Sequence, residues 1–128
     1  MDRSEALENI LDHFQNPHNY GELESPDISL QGGNPGCGDV VTLFLKFNGD
    51  RLEQISYTGQ GCTISQAATS MLTDLAAGYS IEQIEQLDYR SIEELLSAEL
   101  VRTRPKCSTL GLDTLKIAAQ KYRQQHNR

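Results

Sequence analysis

The chain has 128 residues and a mass of 14.3 kDa, which is the usual size of one domain. Its 18 acidic and 11 basic side chains give a net charge of −7, and this charge repels phosphate backbones, so we expect no nucleic-acid partner. No stretch is apolar enough to cross a membrane, and the N-terminus lacks the basic and apolar regions of a signal peptide. We therefore expect a single domain, residues 1–128, located in the cytoplasm and without a membrane partner.

The first third of the chain predicts a helix, a loop and two strands. Apolar residues at helical spacing predict a helix over about residues 3–15, which ends before the first proline. A loop rich in proline and asparagine follows, and then a short strand at 28–30. The glycine-rich stretch after it is expected to be a loop, and alternating apolar residues predict the next strand over 41–47.

A hairpin is predicted where this strand ends. Asn48-Gly49 is typical of a tight hairpin turn in which both turn residues have positive φ. In the strand after the turn, Ile55 and Tyr57 lie on one face, but Leu52 is out of phase with them. The pattern therefore leaves the register of this strand open.

The second half of the chain is predicted to be helical. An apolar period of 3.6 residues predicts a long helix over 64–76. Two short helices are expected after Ser80 and Ser91, because each serine is followed three residues later by Gln or Glu, as in a capping box. A last helix covers about residues 108–124. The element order predicts an α+β fold, a small antiparallel sheet of about three strands with helices packed on one face.

Three cysteines stand at predicted element boundaries. Cys37 precedes a strand, whereas Cys62 and Cys107 stand at helix starts, where the helix dipole lowers the pKa of a thiol and favours the thiolate. Asp39 adds a carboxylate two residues after Cys37. Three sulfurs and one oxygen suit Zn²⁺, or an iron–sulfur cluster with one ligand that is not cysteine. The alternative is that the thiols are inert core residues, which is the common state of a free cysteine.

The sequence resembles a known family at three motifs. "NPGCGD" at 34–39, "GQGCTISQA" at 59–67 and "RPKCSTL" at 104–110 are similar to the cysteine motifs of the U-type iron–sulfur cluster scaffold family, which comprises the IscU, NifU N-terminal and SufU proteins. The N-terminal helix and "NPHNYGEL" at 16–23 extend the resemblance over nearly the whole chain. It implies a SufE/NifU-like fold.

This resemblance also implies a ligand set, cofactors and partners. Cys37, Cys62 and Cys107 match the cysteines that bind metal or cluster, and Asp39 matches the acid that binds zinc in SufU-like members and favours cluster release. The cofactors implied are Zn²⁺ and a transient [2Fe-2S] cluster. A cysteine desulfurase of the SufS or IscS type is the implied sulfur donor, with Cys37 as acceptor, and apo iron–sulfur proteins or a cluster assembly complex are the implied recipients.

Two residues near the third cysteine resemble the SufU branch of the family more than the IscU branch. IscU-type proteins carry a histidine immediately before this cysteine, where the chain has Lys106, and Arg104 is also SufU-like. The interval between Cys62 and Cys107 is short, as in IscU. Arg104 and Lys106 are expected either to be a solvated edge or to lower the pKa of a thiolate and attract an anionic persulfide.

Two functions remain open on the sequence alone. The first is a scaffold or carrier of clusters and sulfur, which would include a zinc-dependent sulfurtransferase role. The second is a zinc-stabilised interaction module without sulfur transfer. The three histidines, His13, His18 and His126, are expected to be exposed or to cap a helix locally, outside any site.

Overall fold

A computed structural model describes residues 3–34 and 38–126 of the chain. Within these ranges no helix combines the length and the apolar character that a bilayer crossing requires. The elements are α1 (Arg3–Gln15), β1 (Ile28–Asn34), β2 (Asp39–Asn48), β3 (Arg51–Gln60), α2 (Thr63–Ala76), α3 (Ile81–Gln86), α4 (Tyr89–Leu95), α5 (Ala98–Thr103) and α6 (Pro105–His126).

The three strands form one antiparallel sheet in the order β1-β2-β3, as predicted. β1 is longer than the predicted strand, because it continues through the glycine-rich stretch to Asn34, which pairs with Asp39. The expectation of a loop at 31–34 was therefore wrong. A Cβ atom on Gly32 would lie 1.9 Å from the Thr114 hydroxyl of α6, so the glycine here lets the last helix approach the sheet.

The β2–β3 hairpin turns one residue later than predicted. Asn48 pairs with Arg51, so the two turn residues are Gly49 and Asp50. Of the residues in this turn, Gly49 has positive φ, at +67°, and Asn48 does not. A glycine at the first turn position with positive φ is one of the two favoured hairpin geometries.

A β-bulge explains why Leu52 is out of phase with Ile55 and Tyr57. The register shifts between Lys46, which pairs with Gln54, and Phe47, which pairs with Leu52. One extra residue on β3 therefore reverses the alternation. As a result Leu52, Ile55 and Tyr57 are all buried.

Helices α2 and α6 pack on the sheet, which confirms the predicted α+β arrangement. The buried residues of β2 alternate with half-buried ones, and Val41, Leu43 and Leu45 are completely buried. α1 packs against α2, and its residues Ala6 and Ile10 are buried. The other apolar residues of α1, which are Leu7, Leu11 and Phe14, stay exposed.

The helix starts agree with the prediction at one capping box and differ at the other. Ser80 and Gln83 form a complete capping box at α3. The second predicted box was wrong, because Asp88 caps α4 and the helix already begins at Tyr89. The single helix predicted there is two helices, and Ser97 caps the second one. α6 begins at Pro105, three residues before the predicted start.

Candidate metal centre

Asp39 is the first residue of β2 and lies on the buried face of that strand. Its side chain is 1% exposed, and it continues the row formed by Val41 and Leu43. A buried carboxylate requires hydrogen-bond or charge partners, because desolvation disfavours it. Asp39 finds its partner at the start of α2.

Cys62 supplies that partner. Its backbone N–H donates to Asp39 Oδ1 at 2.7 Å, and its Sγ lies 3.7 Å from Asp39 Oδ2. Cys62 is also the N-cap of α2, since its Sγ accepts a hydrogen bond from the Ser65 N–H at 3.4 Å. The predicted position of Cys62 at a helix start is thus confirmed, and the cysteine itself is exposed.

Gly61 allows this close approach. Its φ of +138° is a backbone conformation that favours glycine. A Cβ atom on Gly61 would lie 2.2 Å from Asp39 Oδ1 and 2.8 Å from its Cα. Any larger residue would therefore displace the carboxylate from the Cys62 N–H.

Cys107 reaches the same place from α6. It lies in the first turn of that helix and is 4% exposed. One ligand atom from each of Asp39, Cys62 and Cys107 lies within 4.8 Å of the other two. We call these three residues the thiol site. Cys37 lies outside the described residues, so its place beside them stays a prediction.

The pKa of the Cys107 thiol differs from the sequence expectation. Burial, followed by hydrogen bonds with Asp39 and Cys62, raises this pKa above its ordinary value. The expected lowering at a helix start was wrong here, because desolvation and a neighbouring carboxylate both disfavour a thiolate. A bound cation has the opposite effect, since a metal ion stabilises the thiolate that coordinates it.

The donor set of the thiol site fits a zinc ion. Two sulfurs and one carboxylate oxygen lie close together, and Zn²⁺ takes four ligands of these types. The exposure of Cys62 leaves one side of the site open to solvent. A fourth ligand from the segment before Gly38 would complete the set.

Arg104 and Lys106 flank the start of α6 and are exposed. The Arg104 carbonyl accepts a hydrogen bond from the Ser108 N–H at 2.9 Å, so Arg104 provides the first carbonyl acceptor of α6. Within residues 3–34 and 38–126, neither side chain forms an ion pair. Their positive charge is therefore available to an anionic group that approaches Cys107.

A second cluster of possible metal ligands was not predicted from the sequence. His13 and His18 were expected to lie outside any site, but both contact α2, where Asp74 completes a group whose ligand atoms lie within 4.8 Å of one another. We call His13, His18 and Asp74 the histidine site. Two histidines five residues apart were visible in the sequence, but no local pattern predicts that a distant aspartate meets them.

The sequence matches a protein family and several known proteins. The sequence profile described as "NifU-like N terminal domain" matches residues 5–128. The iron–sulfur cluster assembly scaffold protein IscU 1 of Archaeoglobus fulgidus is 36% identical over 113 residues, which cover 88% of this chain and 73% of that protein. The zinc-dependent sulfurtransferase SufU of Bacillus subtilis is 33% identical in an alignment that covers 88% of this chain and 87% of that protein.

A solved structure has the same fold. The N-terminal part of a nitrogen-fixing NifU-like protein from Brucella abortus superposes with a TM-score of 0.80, covering 97% of this chain and 99% of that one. At 17% identity this likeness concerns the fold alone. The family resemblance of the three cysteine motifs is confirmed by the sequence profile: the chain belongs to the NifU-like N terminal domain family, with IscU and SufU proteins among its relatives.

Proposed function

We propose that this protein serves iron–sulfur cluster assembly. It acts as a cluster scaffold, as a zinc-dependent acceptor of sulfur from a cysteine desulfurase, or as both, and passes clusters or sulfur to apo-proteins. The observation that carries the proposal is the convergence of Asp39, Cys62 and Cys107 within 4.8 Å at an exposed edge. The proposal is supported by two relatives, one named as a cluster assembly scaffold and the other as a zinc-dependent sulfurtransferase.

Four residues are proposed to hold the metal or cluster, namely Cys37, Asp39, Cys62 and Cys107. Zn²⁺, when bound, supplies positive charge that keeps a coordinating cysteine in the thiolate form at neutral pH. Asp39 is the exchangeable ligand, since a carboxylate oxygen is a harder donor than the sulfurs around it. Because its carboxylate is held by the Cys62 N–H, it has a stable position when it does not coordinate.

In the sulfur-transfer reaction, Cys37 is the proposed acceptor. Its thiolate attacks the outer sulfur of the desulfurase persulfide, and the S–S bond of that persulfide breaks. The desulfurase cysteine leaves as a thiolate, while Cys37 keeps the transferred sulfur as a new persulfide. Arg104 and Lys106 are proposed to attract the anionic persulfide, because their exposed charges flank Cys107.

In the scaffold reaction, the same four residues hold a transient [2Fe-2S] cluster as cargo. A cluster with three cysteine ligands and one oxygen ligand is less firmly held than one with four cysteines. Release of the cluster to an apo-protein would then begin when Asp39 dissociates from it. The proposed partners are a SufS- or IscS-type desulfurase and recipient apo-proteins or an assembly complex, in the cytoplasm.

The competing function is a zinc-stabilised interaction module. Structural zinc sites are usually closed by four cysteine or histidine ligands. An exposed Cys62 and a carboxylate donor favour exchange over permanent binding. Nucleic acid is not a proposed partner, because the net charge is −7.

A desulfurase turnover assay tests the proposal. A SufS- or IscS-type enzyme should turn over faster when the wild-type protein is added, and Cys37→Ser should abolish this stimulation. His126→Gln changes a residue of the last helix away from the thiol site and should stimulate like the wild type. Equal stimulation by Cys37→Ser would show that Cys37 is not the acceptor, and no stimulation by any form would favour the interaction module.

Metal analysis of protein purified without oxygen separates the two reactions. One zinc ion per chain and no colour favour the sulfur acceptor. Iron, sulfide and a brown colour favour the cluster scaffold. Both observations require protein in which the thiols have not been oxidised.

A further inference from the structure

The histidine site brings together three distant parts of the chain. His13 lies in α1, His18 lies in the loop after it, and Asp74 lies in the last turn of α2. His18 Nδ1 is 2.5 Å from Asp74 Oδ2, and the rings of His13 and His18 are 4.3 Å apart between centroids. Cys62 and Asp74 lie at opposite ends of α2. The thiol site and the histidine site are therefore separated by about 18 Å along that helix.

We propose that His13, His18 and Asp74 form a binding site for a divalent transition-metal ion of the Zn²⁺ or Co²⁺ class, separate from the thiol site. Two imidazoles and one carboxylate are ligands that such ions prefer. With three protein ligands, the fourth position is left to water or to a ligand from outside the chain.

The distances between the three ligand atoms are close to those in a site that holds a zinc ion. The three ligand atoms lie within 4.8 Å of one another, and a tetrahedral zinc ion with ligand bonds of about 2.0–2.2 Å keeps its ligand atoms about 3.3–3.5 Å apart. His18 and Asp74 are too close for an ion to lie between them and would separate by about 1 Å. Both side chains are nearly half exposed, at 45% and 48%, so rotations of their side chains supply this movement.

Neighbouring groups already orient the three ligands. Ser70 Oγ is hydrogen-bonded to His13 Nδ1 at 2.8 Å, which fixes the orientation of that ring, and Nε2 is the nitrogen that we propose for the metal. Asn19 Nδ2 donates to Asp74 Oδ1 at 3.1 Å, which leaves Oδ2 directed toward His18. Partners of this kind fix the orientation of metal ligands and raise affinity.

The loop that carries His18 is held in place on both sides. The His18 backbone N–H donates to Ser70 Oγ at 2.8 Å, and Asn19 Nδ2 donates to Thr73 Oγ1 at 3.0 Å. On the other side the Asn19 carbonyl accepts from the Tyr57 N–H of β3 at 3.0 Å. His18 therefore keeps its position next to α2 before any ion binds, which lowers the cost of ordering a site.

The histidine site is also accessible to a cation. A cleft of about 400 Å³ opens beside the site and is lined by His13, Asp74 and Glu94 among others. This acidic cleft gives a cation access to the ligands.

A cobalt titration tests the proposal. The protein first receives one equivalent of Zn²⁺, which occupies the thiol site if the proposed function holds, and Co²⁺ is then added. We expect one further equivalent to bind, with visible d–d absorption and without the thiolate-to-cobalt charge-transfer absorption that binding at cysteine produces. A charge-transfer band would place cobalt at the cysteines and overturn the assignment of the added ion to the histidine site.

Two variants and a matched control identify the ligands. His18→Gln and Asp74→Asn change exposed side chains and should each weaken Co²⁺ binding at least about tenfold. His126→Gln removes the one histidine outside the site and should leave Co²⁺ binding unchanged. Affinities in His18→Gln and Asp74→Asn equal to that of the wild type would overturn the proposal.

Proton NMR of the wild-type chain provides a test that needs no substitution. When Zn²⁺ is added beyond the first equivalent, the imidazole signals of His13 and His18 should shift together while those of His126 stay in place. A shift of His126 alone would overturn the proposal. This readout is independent of sulfur transfer, so failure of the proposed function and failure of this inference are distinguishable.

Discussion

The buried carboxylate of Asp39 accepts a hydrogen bond of 2.7 Å from the backbone N–H of Cys62, which joins the first residue of β2 to the residue before α2. This bond makes Asp39 a structural partner of the helix start as well as a candidate ligand. The two roles can be separated by substitution, because an asparagine keeps an acceptor oxygen but not the charge.

Asp39→Ala should lower the free energy of unfolding by about 1–3 kcal/mol, because the Cys62 N–H loses a charged acceptor. Asp39→Asn should cost less, since its amide oxygen can still accept this hydrogen bond. Urea unfolding of the metal-free proteins measures the difference. Equal losses in the two variants would contradict a stabilising role of the bond.

The same two variants test the exchangeable ligand. If the carboxylate weakens cluster binding, a [2Fe-2S] cluster reconstituted on Asp39→Ala should last longer than on the wild type, and so should one on Asp39→Asn. The decay of visible absorbance measures the lifetime. Faster or unchanged decay in both variants would contradict the proposed role of Asp39 in release, whatever their stability.

Gly61→Ala should damage both stability and zinc binding. The new Cβ would lie 2.2 Å from Asp39 Oδ1, at a φ of +138°, so we expect a loss of about 2–5 kcal/mol from overpacking and backbone strain. Gly78→Ala is the matched control, because Gly78 also has positive φ, at +89°, but has no atom within 4 Å of a Cβ. It should cost about 1–2 kcal/mol.

Zinc affinity separates the two glycine variants further. Gly61→Ala displaces a ligand and should bind Zn²⁺ more weakly than the wild type, whereas Gly78 follows the far end of α2 and its variant should bind zinc normally. Competition with a chelator measures both affinities. Equal zinc affinity in Gly61→Ala and the wild type would contradict the coupling between Gly61 and the thiol site.

Ser97→Ala and Ser91→Ala should differ in stability. The Ser97 hydroxyl accepts the Leu100 N–H at 3.1 Å as the N-cap of α5, and removal of such a cap costs about 1 kcal/mol. Ser91 lies inside α4 and caps no helix, so its variant should stay within about 0.5 kcal/mol of the wild type. Thermal unfolding measures both, and a larger loss at Ser91 would contradict the observed helix starts.

Local patterns predicted most of the fold, and the errors occur where tertiary contacts decide. Alternation predicted β2, but the phase of Leu52 depends on a bulge that only pairing with β2 reveals. The glycines at 32 and 33 are poor strand residues by propensity, yet they belong to β1 because β2 supplies the pairing partner. At α4, Asp88 offers an N-cap earlier than Ser91 does, and the earlier cap is the one used.

The two candidate sites differ in how far the sequence could predict them. Cys62 follows a glycine and Cys107 follows a lysine, both at predicted helix starts, and this local signal placed them correctly. The raised pKa of Cys107 could not be predicted, because it follows from burial and from Asp39 on another element. For the histidine site, the meeting of His18 with Asp74 depends on how the loop folds back on α2.

Tyr57 should make stability depend on alkaline pH. It is 1% exposed, and burial raises its pKa from 10.0 to about 12. The stabilisation from keeping this phenol neutral is present below the unfolded pKa and is lost as pH rises toward the folded pKa. Between these two values the wild type should lose about 2–3 kcal/mol through this residue.

Tyr57→Phe removes this loss, because phenylalanine does not ionise. At about pH 8 the variant should be less stable by about 0.5–1.5 kcal/mol, since the Tyr57 hydroxyl donates to the Gln66 carbonyl at 3.3 Å. At about pH 12 it should be the more stable protein, so the two curves of unfolding free energy against pH should cross. Urea unfolding across this range measures both curves. Parallel curves would mean that Tyr57 ionises equally readily in the folded and unfolded chains, and would contradict its burial beneath α2 as the cause of the raised pKa.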